Sequence, residues 1–475
     1  MNNSIIVQFV CKMDALIKKS TNLKGEVRVP GSKSYTHRVI AAASLYGSST
    51  LILNPSNSDA NEAMIRACKQ LGATIEWDGK NIKVKGVKGH PHTEKPIDVG
   101  NSGTAMRIAV ALASLANGKV IVTGDASLKN RPTRPLLLAL RDLGVDVSGI
   151  VRNDPDGNIA EYAPIFVNAT GSLTGGHVEI SCKESSQYLT SLLLVSNFAK
   201  NDVEIKVKDT IASKPYVKMT LEVLRKFGLK IEHSTDYLTY KIQSRQDYHK
   251  PDVYQISGDY SQSAFFLAAA CLVNSNIRIK GLNSNDEQGD KIIVDILRKM
   301  GAIIEEDEED LVVKGPFDLH GIEVDLIDAP DLFPVLSILG IYAKGKMRLY
   351  NMPQIRSKET DRIAVIEREL IKYGVKVESK IDEMTVYQTD LPEKEYVFSA
   401  RGAQGVTDHR VAMALSLIGI RSGCAVIKEA HKISISYPDY LDDMERIGVN
   451  IDRMESESSS IDIKPKNEIA PNMAM

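Results

Sequence analysis

Apolar positions along the chain fall into two recurring patterns. The first is a helix-like stretch that ends in Gly and passes at once into a short alternating run suited to a half-buried strand. It occurs at Ala67 to Ile75, Leu140 to Val147, Leu224 to Ile231, Leu297 to Ile304, Leu370 to Val377 and Met444 to Ile451. The glycines stand at 72, 144, 228, 301, 374 and 448, separated by 72, 84, 73, 73 and 74 residues. Chance could supply one or two such endings but not six in register, so the chain is internally repeated.

The second pattern is a stretch that is apolar nearly all round, as in Ala264 to Val273. Helices of that kind belong in a domain interior, and their Ala content permits close helix–helix approach. They begin near Arg38, Thr104, Gln187, Ser261, Leu332 and Arg410. Each is followed by a β-rich run: Thr50 to Leu53, Val120 to Thr123, Val203 to Val207, Ile277 to Ile279, Met347 to Tyr350 and Ala425 to Ile427. The unit therefore reads helix, strand, helix, Gly, strand.

Six such units exceed one core, and the natural division is three and three. The pattern predicts an α/β protein of two pseudo-symmetric halves. The chain crosses between them near Val29–Gly31 and Ile256–Asp259, with an N-terminal strand joining the later half. The expected limits are 1–13 as an N-terminal extension, 14–30 with 259–452 as a first domain, 31–258 as a second, and 453–475 as a frayed tail. In the extension, Ile5-Ile6-Val7 and Phe9-Val10 lack a basic region or a small-residue cleavage pattern, so they form either an extra strand or a stretch ahead of a start at Met13.

Composition narrows the function. A formal net charge of −2 over 475 residues supplies no global field for nucleic acid or membrane, so any anion site is built locally. Five scattered cysteines (Cys11, Cys68, Cys182, Cys271, Cys424) with no CxxC pair read as reduced core thiols of a cytoplasmic protein, not a disulfide framework or zinc site. No apolar run is long enough to span a bilayer.

Polar residues cluster ahead of the apolar helices. The first group lies in Val29-Pro30-Gly31-Ser32-Lys33-Ser34-Tyr35-Thr36-His37-Arg38, before the apolar run Val39 to Tyr46. Gly31, the hydroxyls of Ser32 and Ser34, and the cations Lys33 and Arg38 beside a helix start suit a phosphate or carboxylate. A plain capped helix with solvated basic residues fits equally well. The P-loop pattern fails, because Ser32 separates Gly31 from Lys33. The matching groups are Gly100-Asn101-Ser102-Gly103-Thr104 with Arg107, Lys183 to Gln187, Gly258 to Ser261, Asp328 to Asp331, and Thr407 to Arg410.

If pseudo-symmetry aims these helix starts at one cleft, the first half is an anion receptor. The second half then brings Asp259, Asp331 and Asp408 for proton chemistry. Simple N-capping is the alternative, and it is the better reading of Asp259 and Ser261. At Gly100 to Thr104 and Ser185 to Gln187 the polar groups exceed one cap, which favours function.

The second helices carry Lys129-Asn130-Arg131-Pro132, Ser213-Lys214-Pro215-Tyr216 and Arg356-Ser357-Lys358-Glu359-Thr360-Asp361-Arg362. Cations disfavour a helix N-terminus, so the last group reads as functional and not as a solvated charge ladder. His90 and His92 read as surface residues, Trp77 as packing, and Glu305 to Asp310 as a solvated acidic turn. There is no metal-ligand spacing and no dinucleotide fingerprint.

These motifs, in this order, resemble the 5-enolpyruvylshikimate-3-phosphate synthase family, and the resemblance covers residues 14–452. It implies two domains, each of three βαβαββ repeats in an inverse α/β barrel. It implies transfer of enolpyruvate from phosphoenolpyruvate to the 5-hydroxyl of shikimate 3-phosphate, by a monomer that needs no metal or organic cofactor. By position, Lys33 is similar to the lysine shared by both substrates, and Ser34 and Arg38 to shikimate contacts. Ser185, Ser186 and Ser213 resemble the 3-phosphate cradle, with Tyr216 beside it, and Gln354 and Lys358 also face shikimate phosphate. Asn101, Gly103, Arg131, Gln187, Arg362 and Arg410 resemble the phosphoenolpyruvate receptor, with Gln187 reaching both substrates. Asp331 is similar to the carboxylate beside the attacking hydroxyl, and Glu359 to the group that protonates the methylene carbon.

One departure stands out. The family commonly has a lysine three residues before the Pro of the late Pro438-Asp439-Tyr440 stretch, and here that residue is Ile435. Either phosphoenolpyruvate meets one cation fewer, or Lys432 or another residue substitutes. Gln354, where some relatives have Asn, is a milder change. Three rival readings are weaker. A sister enzyme that uses UDP-N-acetylglucosamine has a loop cysteine with no match near Asp125 to Arg131. An RNA-end-processing enzyme is disfavoured by the near-neutral charge. A non-catalytic phosphometabolite binder is supported only by Ile435.

Overall fold

In a computed structural model, which describes residues 12–154, 157–247, 251–307 and 310–456, the repeat is a four-stranded sheet built six times. One unit runs Gly176–Ile180, Gln187–Ser196, Val203–Val207, Pro215–Lys226, Ile231–His233 and Thr239–Ile242. The first two strands pair parallel, with the first helix crossing between them. The second strand pairs antiparallel with the fourth, and the fourth with the third. The same strand arrangement recurs in all six sheets, three of which complete it with a strand from elsewhere in the chain: Met13–Lys18, Asn22–Arg28 or Val253–Gln255.

The local causes are those legible in the chain. Each second helix ends at a glycine with φ between +80° and +109°, a backbone that side chains resist. The first helices are Lys33–Leu45, Gly103–Ala113, Gln187–Ser196, Tyr260–Leu272, Phe333–Tyr342 and His409–Ser422. Every residue of Tyr260–Leu272 is buried, as its all-round apolar surface requires. The first three helices centre one hydrophobic core and the last three another. Strands such as Val203–Val207 alternate buried and exposed residues, so each sheet covers a core with one face.

The chain crosses between the cores twice. Strand Asn22–Arg28 pairs parallel with Asn274–Lys280, while Val253–Gln255 pairs parallel with Ser49–Leu53. Each half thus takes its opening strand from the segment that leads into the other half's helix. The crossing segments touch at a bridge between Gly31 and Gly258. The Ser32 N–H donates to the Ser257 carbonyl at 2.8 Å, and the Asp259 N–H to that of Pro30 at 2.9 Å. A Cβ on Gly31 would lie 1.8 Å from the Asn54 carbonyl oxygen, so the crossing admits no side chain there. The Asp259 carboxylate fastens both halves. Its Oδ2 accepts the Lys33 N–H at 3.0 Å and its Oδ1 the Ser261 N–H at 2.9 Å.

Three boundaries differ from expectation. The first apolar helix begins at Lys33, not near Arg38, because Ser32 caps it and Asp259 takes its first N–H; Lys33, Ser34 and Arg38 are helical. The N-terminal strand Met13–Lys18 includes Met13, and the last strand runs on to Glu455, because Met13 pairs with Glu455 and Ala15 with Arg453. The Ile5 to Val10 stretch, Cys11 and 457–475 lie outside the described residues. Third, the stretch read as an acidic turn contributes strands Ile304–Asp307 and Asp310–Val313, and Arg278 pairs with Asp307 and Asp310. Among the described residues no helix is long and apolar enough to cross a membrane. Cys68, Cys182 and Cys271 are buried free thiols.

The crossing yields a stability prediction. Gly31→Ala places a methyl against backbone and should lower unfolding free energy by about 2 kcal/mol or more. A urea midpoint equal to that of the parent chain would contradict the tight crossing.

Candidate active site

The N-termini of several first helices are closed by side chains, and those side chains begin the site. Ser32 accepts the Tyr35 N–H, and Ser102 accepts that of Ala105. In the later half the caps are carboxylates: Asp259, and Asp408, whose Oδ1 accepts the Arg410 N–H at 3.0 Å. The capping reading of Asp259 holds but is incomplete. Ser261 donates to Asp259 at 2.6 Å and accepts from Arg410 Nη2 at 3.0 Å, so the cap also seats a cation.

Arg362 is the first residue of helix Arg362–Ile371 and is 1% exposed. Asp361 caps that helix, accepting the Ala364 N–H at 3.0 Å. Three carboxylates surround the Arg362 guanidinium: Asp331 on Nη1 at 2.8 Å, Glu359 on Nη2 at 2.9 Å and Asp408 on Nε at 2.8 Å. A guanidinium has five N–H donors, so two remain for another acceptor. Arg410 Nη2 also reaches Asp331, at 3.2 Å, while its Nη1 is buried without a hydrogen-bond partner.

The opposite wall comes from the earlier half. Gln187 accepts from Arg107 Nη1 at 2.6 Å and donates to Thr104 at 3.0 Å. Arg131 leans toward Glu359, 4.0 Å away, and its Nε and Nη2 are buried without partners. A Cβ on Gly103 would come within 3.0 Å of Arg107 Nη1 and 3.2 Å of Arg131 Nη1, so the helix start lies against both guanidinium groups. Buried charged donors without acceptors are costly, and anions are their natural partners.

Electrostatics sort the acids. Burial pushes the Asp331 carboxyl up, but Arg410, Lys358, Arg362 and Lys33 outweigh it and hold it well below the carboxylate range. Burial likewise raises Glu359, and Arg362, Arg131 and Lys33 overcome it and hold it well below the carboxylate range. Burial and the neighbouring Arg410 draw Lys33 below the ordinary lysine range, against Asp331, Glu359 and Asp259. Lys358 is lowered by burial, with Asp331 opposing. Burial holds His409 neutral, with its pKa down at about 3.

The remaining expected residues fall into two sets. Arg38 ties helices of the earlier half together: Nε donates to Thr220 at 2.9 Å, Nη1 to the Ser34 carbonyl at 2.9 Å, and Nη2 to Thr190 at 3.3 Å. Ser185 accepts the Gln187 N–H at 3.2 Å, beside buried Ser186. Ser213 has φ +60°, and its N–H crosses to the Ile327 carbonyl at 2.9 Å. Gln354 donates to the same carbonyl at 3.2 Å, and its Oε1 is buried without a partner. The hydroxyl of Tyr216, half-buried beside Ser213, reaches across to Asp331 at 3.4 Å and Asp290 at 3.5 Å. Asn101 is half-buried one residue before the Ser102 cap.

Sequence reasoning missed Asp290 and gave Arg107 no role of its own. Asp290 stands in a polar loop with no periodicity to mark it, and only the double crossing brings it to Tyr216. Lys432 lies in the turn Ala430–Ile435, and no hydrogen bond or ion pair joins it to these residues among those described.

The family model for EPSP synthase (3-phosphoshikimate 1-carboxyvinyltransferase) matches residues 17–444. The chain is 37% identical over 448 residues to the 3-phosphoshikimate 1-carboxyvinyltransferase of Methanococcus vannielii, covering 92% of this chain and 99% of that protein. It is 38% identical over 445 residues to the protein of the same name in Methanocaldococcus jannaschii, with the same coverage. In fold it is similar to the EPSP synthase of Acinetobacter baumannii, at TM-score 0.77 and 23% identity over 93% of this chain and all of that one.

Asp408 is wholly buried and holds both Arg362 and a helix cap. Asp408→Ala strands the guanidinium and should cost about 3–5 kcal/mol of stability. Denaturant unfolding of parent and variant checks this, and a loss under about 1 kcal/mol would mean that Arg362 is held by its other partners alone.

Proposed function

The chain belongs to the EPSP synthase family, and from that membership we propose that it transfers the enolpyruvyl group of phosphoenolpyruvate to the 5-hydroxyl of shikimate 3-phosphate, releasing phosphate. It is a transferase of the shikimate route to aromatic amino acids. The observation that best supports the assignment of parts is one cleft that holds two ionised carboxylates, Asp331 and Glu359, among buried guanidinium donors without acceptors on Arg131 and Arg410. The two cores are read as two domains, 14–30 with 259–452 and 31–258, in a cytoplasmic monomer.

Both substrates are polyanions. Lys33, Arg131, Arg362 and Arg410 would offset the repulsion of bringing them together, with Asn101, Gly103 and Gln187 lining the phosphoenolpyruvate side. Ser185, Ser186, Ser213 and Lys358 would cradle the 3-phosphate. Ser34 and Arg38 would contact shikimate, with Tyr216 beside the 3-phosphate cradle and Gln354 joining Lys358 on shikimate phosphate. In the addition, Asp331 takes the 5-hydroxyl proton, the oxygen bonds to C2 of phosphoenolpyruvate, and Glu359 gives a proton to C3. In the elimination, C3 returns a proton to the Glu359 carboxylate, the C2–C3 double bond re-forms as the C2–O bond to phosphate breaks, and the phosphate leaves with the proton held by Asp331. Preorganised cations stabilise the charge that builds on that phosphate.

Glu359 begins ionised, so it needs a proton before it can act as an acid. Phosphoenolpyruvate would supply the cause. Its phosphate and carboxylate share Arg131, Arg362 and Lys33, weaken their hold on Glu359, and let its burial raise it. Binding of phosphoenolpyruvate with shikimate 3-phosphate should therefore take up more protons in the parent chain than in Glu359→Gln. Titration calorimetry in buffers of different ionisation enthalpy measures the difference, and equal uptake would remove Glu359 as the acid.

The assignment itself is tested by phosphate release with shikimate 3-phosphate and phosphoenolpyruvate, against UDP-N-acetylglucosamine as acceptor. Release only with the sugar nucleotide would move the chain to the sister reaction. Asp331→Asn and Glu359→Gln should each lower turnover by roughly 10²–10⁴-fold while substrate affinity changes far less. Loss of binding with turnover per bound complex unchanged would refute both roles.

A further inference from the structure

One carboxyl group at the cleft takes no part in the chemistry above. Asp290, in the turn Gly289–Ile292, is 5% exposed. Its Oδ1 has no hydrogen-bond partner among the described residues. Its Oδ2 lies 3.5 Å from the Tyr216 hydroxyl, which in turn lies 3.4 Å from Oδ2 of Asp331. Tyr216 belongs to the earlier half of the chain and both acids to the later, so the contact spans the cleft. The approach is tight: a Cβ on Gly289 would fall 2.5 Å from the Asp328 carbonyl oxygen and 2.9 Å from Pro215 Cγ. The turn presses on the residue that opens the helix of Tyr216.

We propose that Asp290 is a positioning residue for the transfer: protonated, it donates to the Tyr216 oxygen, so that the Tyr216 O–H is left to donate to Asp331 and fixes that carboxylate toward the 5-hydroxyl. The inference rests on the reading of Asp331 as the base.

The argument is one of donors and charge. Tyr216 has a single proton and two carboxyl neighbours. With both acids ionised its hydroxyl serves only one of them, and nothing selects Asp331. With a proton on Asp290 the chain runs one way, from Asp290 through Tyr216 to Asp331. Charge decides which acid holds the proton. Asp331 has guanidinium partners on both oxygens, Arg362 at 2.8 Å and Arg410 at 3.2 Å. Asp290 faces Asp331, Asp259, Arg410, Lys358 and the Tyr216 hydroxyl. Burial and then Asp331 push its carboxyl up to about 7, against Arg410. Two carboxylates that share one hydroxyl do not both ionise readily, and the one with no cation in ion-pair contact among the described residues keeps the proton. The ordered arrangement is therefore present below the Asp290 pKa and lost as pH rises through it.

The test is kcat/KM against pH for the parent chain, Asp290→Asn, Asp290→Ala and Tyr216→Phe, with shikimate 3-phosphate and phosphoenolpyruvate. Asn keeps a donor and cannot ionise. Asp290→Asn should stay within about three-fold of the parent near pH 6 and move the alkaline fall upward by about one pH unit or more. Asp290→Ala should lose about ten- to a hundred-fold, which Asn rescues. Tyr216→Phe should lose rate and, with it, the part of the alkaline fall that Asp290→Asn moves. An alkaline fall unchanged in Asp290→Asn, or Ala and Asn alike at every pH, overturns the proposal. If Asp290→Asn does not fold, an alkaline fall unchanged in Tyr216→Phe overturns it. Absence of phosphate release from the parent chain would instead overturn the reaction reading, and this inference with it.

Discussion

Three carboxylates on one buried guanidinium set the terms for everything else in the cleft. Arg362 binds Asp331, Glu359 and Asp408 at 2.8–2.9 Å, and the three acids come from three separate segments. Burying such a group is tolerable only when every charge finds a counter-charge. One cation does not balance three anions, so Arg410, Lys358, Lys33 and Arg131 gather round them. The result is a site in which shared cations hold Asp331 and Glu359 well below the carboxylate range. Any polyanion that enters competes for those same cations.

That network depends on helix ends. Asp408 both caps helix His409–Ser422 and holds Arg362. Asp259 caps helix Tyr260–Leu272, receives the first N–H of helix Lys33–Leu45, and through Ser261 seats Arg410. A side chain whose other oxygen is already fixed by backbone N–H groups has little freedom to move. The acids and cations of the cleft are thereby set at fixed positions without a dedicated scaffold for each.

Much of this was legible in the chain. The six glycines fixed the ends of the second helices because a positive φ there is a local demand, and the all-apolar stretches located the first helices because no surface could accept them. Several of the polar groups before those helices, among them Asp331, Asp408, Arg410 and Gln187, are brought close to Arg362, Arg131 and Arg107 because repeated units turn equivalent ends toward one place. What could not be read locally was set by distant pairing. Helix Lys33–Leu45 starts five residues earlier than its apolar run suggests, since its first N–H is satisfied by Asp259 across the crossing. Arg362 is committed to three acids before any ligand arrives. Asp290 sits in a loop whose importance depends on what Gly289 touches.

The double crossing also bears on how the protein is made. The core that gathers the first three apolar helices is built from one continuous stretch, Tyr35 to Ile256, flanked by the bridge between Gly31 and Gly258. It can collapse on itself as soon as that stretch has left the ribosome. The other half waits. Among the described residues its strand Met13–Lys18 pairs with Gly423–Ile427 and Asn450–Glu455, which leave the ribosome long after it does. Until they emerge, that strand carries unpaired backbone edges. Contacts of such long sequence separation form late and slowly. The cleft, which needs both halves, therefore forms only after those later strands have been made, and strand Met13–Lys18 waits as long for its partners.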